Sequence, residues 1–119
     1  MNYYLAARFS RQEEMRNYAK DLENLGHKIT SRWINGHLDD TFGAKYAIED
    51  LEDIIRADVL IYFNEEIKSS GRNIEFGYAL GNKITIILIG NRNSIFHYLP
   101  QISTFSNWKY FIQDLRRQK

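Results

Sequence analysis

Val59-Leu60-Ile61-Tyr62-Phe63 is an unbroken apolar run of β-favouring residues. A strand with one wet face alternates apolar and polar residues. A run without alternation belongs to a strand covered on both faces, and such strands lie in parallel sheets with helices above and below. Ile84 to Ile89 has the same character with Thr85 inside it, and Asn2-Tyr3-Tyr4-Leu5-Ala6-Ala7 reads as another short buried strand. His27 to Trp33 is a weaker, mixed strand suited to a sheet edge, and Thr104-Phe105 a brief last one.

Between these runs the apolar period lengthens to that of a helix. Met15, Tyr18, Ala19, Leu22 and Leu25 form the inward face of a first helix, with Gly26 placed to end it in a left-handed conformation. Ser10-Arg11-Gln12-Glu13 has capping-box spacing at its start. Ala44, Ala47, Ile48, Leu51, Ile54 and Ile55 share one side of a second helix. A third begins after Ser69, and Ser106 is placed to cap a fourth carrying Trp108, Phe111, Ile112 and Leu115. Residues 34–43 have loop chemistry, and Ile95 to Tyr98 forms a short turn.

The order β-α-β-α-β-α-β-α-β predicts an α/β fold: a flavodoxin- or Rossmann-like three-layer sandwich on a five-stranded parallel sheet of order 2-1-3-4-5. At 119 residues the chain supports one core, so residues 1–119 are read as a single domain. A formal net charge of +1 predicts no general attraction to nucleic-acid polymers or membranes. The basic ending Arg116-Arg117-Gln118-Lys119 suits a helix C-terminus and a solvated tail. Cysteine is absent, which excludes disulfides and thiolate chemistry. With no signal-peptide pattern and no apolar stretch long enough to cross a bilayer, a soluble cytoplasmic protein is expected. His27, His37 and His97 lack metal-ligand spacing, so no metal is predicted. Neither common glycine-rich phosphate loop is present, which leaves nicotinamide and ATP chemistry without support.

In the predicted topology the loops after strands one, three and four open on one side. They bring together Tyr3 and Arg8, the stretch Ser69 to Glu75, and the stretch Asn91 to Tyr98. Glu75 belongs to SSGRNIEFGYALGNK, which starts the third helix. Acids are favoured near helix N-termini by the macrodipole, and Glu75 fits no capping box from Ser69 or Ser70. Gly71, Gly77 and Gly81 leave room for an approach to the helix backbone, or else serve tight packing on the sheet. A carboxylate kept ionised by a helix N-terminus suits attack on an anomeric carbon, giving a covalent glycosyl intermediate. A second acid would assist the leaving group, and a phenol could orient the nucleophile. Asp50 is inside the second helix and reaches such a site only if the start of that helix tilts over the strand tips. Arg8 and Arg11 beside Ser10 either hold a phosphate at the first helix's N-terminus or are surface arginines. Trp33 and His37 could cap a base by stacking, with a core-edge position the alternative for Trp33.

Tyr3-Tyr4-Leu5-Ala6, Asp50-Leu51-Glu52 before Ala57-Asp58-Val59, Gly71-Arg72-Asn73-Ile74-Glu75-Phe76-Gly77-Tyr78-Ala79 and Phe96-His97-Tyr98-Leu99-Pro100 occur together along nearly the whole chain. In this combination the sequence resembles the nucleoside 2-deoxyribosyltransferase family, which includes the 2′-deoxynucleoside 5′-phosphate N-hydrolases. The resemblance implies that Glu75 is the nucleophile at C1′ of the sugar, that Tyr3 orients it, and that Asp50 takes part in proton transfer. Ser69 stands where the transferases have a base-contacting aspartate and the nucleotide hydrolases a phosphate-contacting serine, which leans toward a phosphorylated substrate and water as acceptor. The ending Arg116 to Lys119 also departs from the asparagine-plus-carboxylate terminus of the transferases. Gly71, beside Ser69 in the glycine pattern above, is read as a substrate contact, and His97, in the loop that in the family helps complete an adjoining subunit's pocket, as a contact to the substrate phosphate. The resemblance further implies a nucleoside or nucleotide substrate, no cofactor, and a homodimer or higher homo-oligomer. Base exchange between nucleosides, and a non-catalytic nucleotide-binding module, are the alternatives.

Overall fold

The computed structural model describes residues 1–36 and 44–118, so the expectation for His37 lies outside the described residues. Five parallel strands are arranged as β2-β1-β3-β4-β5, the expected order. They are β1 (Asn2–Ala6), β2 (Lys28–Ile29), β3 (Val59–Phe63), β4 (Thr85–Ile89) and β5 (Ile102–Phe105). Four helices cover the sheet: α1 (Gln12–Asn24), α2 (Ala44–Ile55), α3 (Ser70–Gly81) and α4 (Trp108–Arg117).

Every residue of β3 is buried, as its uninterrupted apolar run requires. Successive side chains of a strand point to opposite faces. Tyr3 of β1 therefore meets Phe111 of α4, and Phe63 of β3 stacks on Tyr18 of α1 and Trp108 of α4. Tyr4 and Tyr62 point the other way, onto α3 through Glu75 and Phe76. Helices α1 and α4 form one outer layer and α2 and α3 the other. Gly26 follows α1 with φ of 90°, as expected for the residue that ends it.

Several local expectations are corrected. The Ser10 capping box does not form: residues Phe9–Arg11 make a 3-10 turn, and α1 starts at Gln12 with no side-chain cap. Asn107 caps α4 in place of Ser106, its side chain accepting from the Tyr110 amide. Strand β2 keeps only two of the residues expected for it, because Arg32–Ile34 turns into a 3-10 segment. The face of α2 is also rotated. Ile48 and Ile55 are 56% and 51% exposed, while Asp53 is 0% exposed and Ile54 lies beside it in the core. The buried Asp53 carboxylate pairs there with the half-exposed Arg32 and Arg56.

Gly90 links β4 to the loop above β3 with φ of +123°, and a Cβ there would lie 2.7 Å from the Asn64 carbonyl oxygen. The close approach lets the Asn64 amide donate to Ile89 and the Asn64 side chain to Asn91. Gly90→Ala is expected to destabilise the fold by about 2–4 kcal/mol, read as a lower urea midpoint with unchanged slope.

Candidate active site

Ser69 caps α3: its hydroxyl accepts from the Arg72 amide at 3.3 Å. Arg72 is buried and reaches back under the preceding loop, donating to the carbonyls of Phe63 (3.0 Å) and Ile67 (2.9 Å). The loop is thereby fastened to the end of β3, and the direction in which α3 leaves it is set. Glu75, in the second turn, then faces β1.

The Tyr4 hydroxyl donates to Glu75 Oε2 at 2.5 Å. The expected partner, Tyr3, is not there. Its ring lies on the opposite face of the sheet against His27 and Phe111, because neighbouring strand residues alternate. Tyr4 is the phenol that orients Glu75, and Tyr3 is a core residue.

Asp50 does reach this site. Rotation of α2 turns Asp50 inward, close enough to Glu75 and Tyr4 for its charge to raise the proton affinity of both. Burial pushes the Glu75 carboxyl up to about 8, the Tyr4 hydrogen bond opposing and Asp50 adding to the rise. Burial likewise raises Asp50 to about 7, with Asp53 and Glu49 adding and Arg32 opposing. The Tyr4 phenol is raised well above its ordinary value, by burial and then by the two acids. The expectation of a helix terminus holding Glu75 ionised is thus corrected: it stands beyond the first turn, and removal of its carboxyl from water dominates. Both carboxyl groups are thus raised toward neutral pH, chiefly by burial, and a pair carrying one proton is the state in which one acid can act as nucleophile and the other as proton donor.

The remaining expected residues divide. A Cβ on Gly71, Gly77 or Gly81 would meet nothing within 4 Å, so tight packing is not the reason for these glycines. Gly71, in the first turn of α3 after the cap Ser69, is exposed. Arg8 pairs with Glu65, which also receives Arg11 (3.2 Å) and Arg72 (3.4 Å). The two arginines beside exposed Ser10 are therefore tied to a carboxylate. Trp33 does not present a face for stacking: it is 4% exposed and donates its indole N–H to the Leu5 carbonyl at 2.7 Å, the core-edge alternative. His97 is buried against Tyr62 and Phe76, and its Nδ1 accepts from the Asn93 amide at 3.1 Å. Burial, then Arg72 and Arg92, lower its pKa. It lines a cleft of about 620 Å³ with Tyr62, Asn73, Phe76 and Phe96, and Glu75 is not part of that lining.

Tyr4 was missed from sequence, although two adjacent tyrosines on a doubly covered strand always send one to each face. Among the described residues no group of three or more acidic or histidine side chains is arranged to hold a metal ion, and no helix is long and apolar enough to cross a membrane.

Fold and site together define a doubly wound α/β fold with a phenol and two carboxyl groups, both raised toward neutral pH, between its sheet and the α2–α3 layer. No family model matches the sequence, and no curated protein matches it. Among solved structures the chain is similar to the CMP N-glycosidase BcmB of Clostridium botulinum. The two are 21% identical, with a TM-score of 0.75 over 98% of this chain and 99% of that one. The likeness establishes the fold over the full described length.

Proposed function

We propose that this protein is an N-glycosidase of the nucleoside 2-deoxyribosyltransferase type, acting on a nucleoside or its 5′-monophosphate and releasing the free base to water. The observation that carries this reading is the Tyr4 hydroxyl on Glu75 with Asp50 coupled to the same carboxyl. The whole-length likeness to a CMP N-glycosidase supports it, and favours a phosphorylated substrate.

In the reacting form, the minor one in the free protein, the pair's proton is on Asp50 and Glu75 is ionised; Glu75 attacks C1′ while the bond from C1′ to the base nitrogen breaks. The electron pair leaves with the base, and Asp50 delivers the proton that neutralises it. Water then attacks C1′ of the glycosyl ester and gives its proton to Asp50, and the pair of electrons in the ester C–O bond returns to Glu75. Tyr4 donates to the carboxylate and fixes which oxygen faces the sugar. Ser69 and Gly71, at the N-terminus of α3, would meet the substrate phosphate with free backbone N–H groups beside them.

The test is incubation with a panel of ribo- and deoxynucleosides and their 5′-monophosphates, following base release by chromatography. Release without an added acceptor base is expected, together with a mass increase of one sugar on Glu75 when a 2′-fluoro analogue is used. Product that forms only when a second base is supplied makes the protein an exchange enzyme. Binding with no turnover of any panel member overturns the enzymatic reading.

Tyr4→Phe removes the donor that pulls the Glu75 pKa down. A hydrogen bond to a charged group is worth about 1.5–3 kcal/mol, so kcat is expected to fall about 10–10²-fold. Tyr3→Phe should leave kcat within about twofold, since that ring is on the other side of the sheet. Steady-state kinetics on both variants distinguishes the two tyrosines.

The proposal extends to a homodimer or larger homo-oligomer. Ile48, Ile55 and Ile74 are exposed on the α2–α3 layer, and Ile95, Phe96 and Tyr98 on the turn beside α3. Apolar surface of this kind is usually covered by protein. Sedimentation equilibrium giving a monomer with full activity would remove this part of the proposal.

A further inference from the structure

Asp53 has no place in the chemistry above, yet it is a wholly buried acid one helical turn from Asp50. Residues three apart on a helix share a face, so the two carboxyl groups enter the same interlayer space. Asp53 Oδ2 accepts from the Arg32 backbone amide at 2.9 Å, and Oδ1 accepts from Arg32 Nε at 3.0 Å. Arg56 donates to the same carboxylate, and the Asp53 carbonyl accepts from the Thr30 hydroxyl at 2.8 Å. Arg32 also approaches Glu49 and Glu52, each at 3.5 Å.

The segment that grips Asp53 is itself anchored to β1. Ser31 Oγ accepts from the Leu5 amide at 3.2 Å, and Trp33 Nε1 donates to the Leu5 carbonyl at 2.7 Å. Leu5 is the residue after Tyr4. One strand thus carries both ends of a closed linkage: Tyr4 holds Glu75 directly, and Leu5, through Ser31, Trp33 and Arg32, holds Asp53 and with it the turn of α2 that bears Asp50. Ile48 and Ile55 face away from the sheet, and the contacts of Asp53 with Arg32 and Arg56 fasten the opposite side of α2.

We propose that Asp53 is a positioning residue: the pairing of its buried carboxylate with the half-exposed Arg32 sets the rotation of α2 and thereby where Asp50 stands relative to Glu75. The inference rests on the reading of Asp50 and Glu75 as the reacting acids. The clamp also sets the electrostatics of Asp50, which is faced by Asp53 and Glu49 of its own helix, by Glu75 of α3, by Tyr4 of β1 and by Arg32. Asp53 favours the proton on Asp50, and Arg32 disfavours it.

The experiment compares Asp53→Asn and Arg32→Met with wild type, using ¹³C NMR titration of the Asp50 carboxyl beside steady-state kinetics and thermal melts. Asp53→Asn is expected to lower the Asp50 midpoint and Arg32→Met to raise it, each by about 0.5–1 pH unit. Both should lower kcat about tenfold at the pH optimum with KM changed less than twofold. If Asp53→Asn fails to fold, Arg32→Met alone must still show the raised midpoint and reduced kcat. Folded variants with an unmoved Asp50 midpoint, or activity that follows only the folded fraction, overturn the positioning role. Wild type that releases no base while the midpoints move as expected refutes the enzymatic reading and leaves the clamp standing.

Discussion

Replacing Glu75 with Gln is expected to abolish base release, by about 10³-fold or more, and at the same time to make the protein more stable at pH 8. The first effect follows from loss of the nucleophile: an amide cannot form the glycosyl ester. The second follows from linkage. In the folded chain this carboxyl holds its proton up to about pH 8, whereas in the unfolded chain it releases it near about pH 4.3. Between those values the unfolded state binds fewer protons than the folded state, so stability is full below the unfolded pKa and is lost as pH rises toward the folded one. Gln keeps the shape and the acceptor for Tyr4 but has no proton to lose. At pH 8 the variant should therefore be more stable by on the order of 2–4 kcal/mol, and near pH 4 the two proteins should melt together. Thermal melts across that range, beside the base-release assay, measure both effects. A variant that is inactive but no more stable at pH 8 would mean that Glu75 is ionised in the resting protein.

Asp50→Asn is expected to lower kcat by about 10²–10³-fold and to change the shape of the pH profile. The acid pair titrates around 7 and 8, so kcat/KM of the wild type should form a bell with its maximum between these values. The acid limb is the loss of the first proton from the pair, the alkaline limb the loss of the second. Asparagine does not titrate, so the alkaline limb disappears. The remaining acid limb should move below pH 8, because the charge of Asp50 no longer raises Glu75. Substrates with an easily protonated or already good leaving group should suffer least. A bell retained in full by the Asn variant would place the general acid elsewhere.

The architecture was legible because two kinds of signal agreed. Apolar runs such as Val59–Phe63 need cover on both faces, and helical periodicity between them supplies it, which leaves few arrangements other than a doubly wound parallel sheet. The expectation for Glu75 had a related origin: its position after β3 directs attention to the carboxyl end of the sheet in that topology. Local capping was less so. Ser10 and Ser106 have suitable chemistry, but the 3-10 turn at Phe9–Arg11 and the Asn107 side chain settle those helix starts in contexts the flanking residues alone do not reveal.

What the sequence by itself determined was the fold, the strand order and the acid at position 75, all of which depend on periodicity and chain order. Which tyrosine meets that acid was decided only by the tertiary structure, because a strand covered on both sides has no polar face to reveal its parity, and a shift of one residue exchanges Tyr3 for Tyr4. The rotation of α2 was decided in the same way. Its apolar stripe pointed Ile48 and Ile55 inward, whereas in the fold they are exposed, Asp53 is buried against Arg32, a residue distant in sequence, and Asp50 stands close enough to act on Glu75.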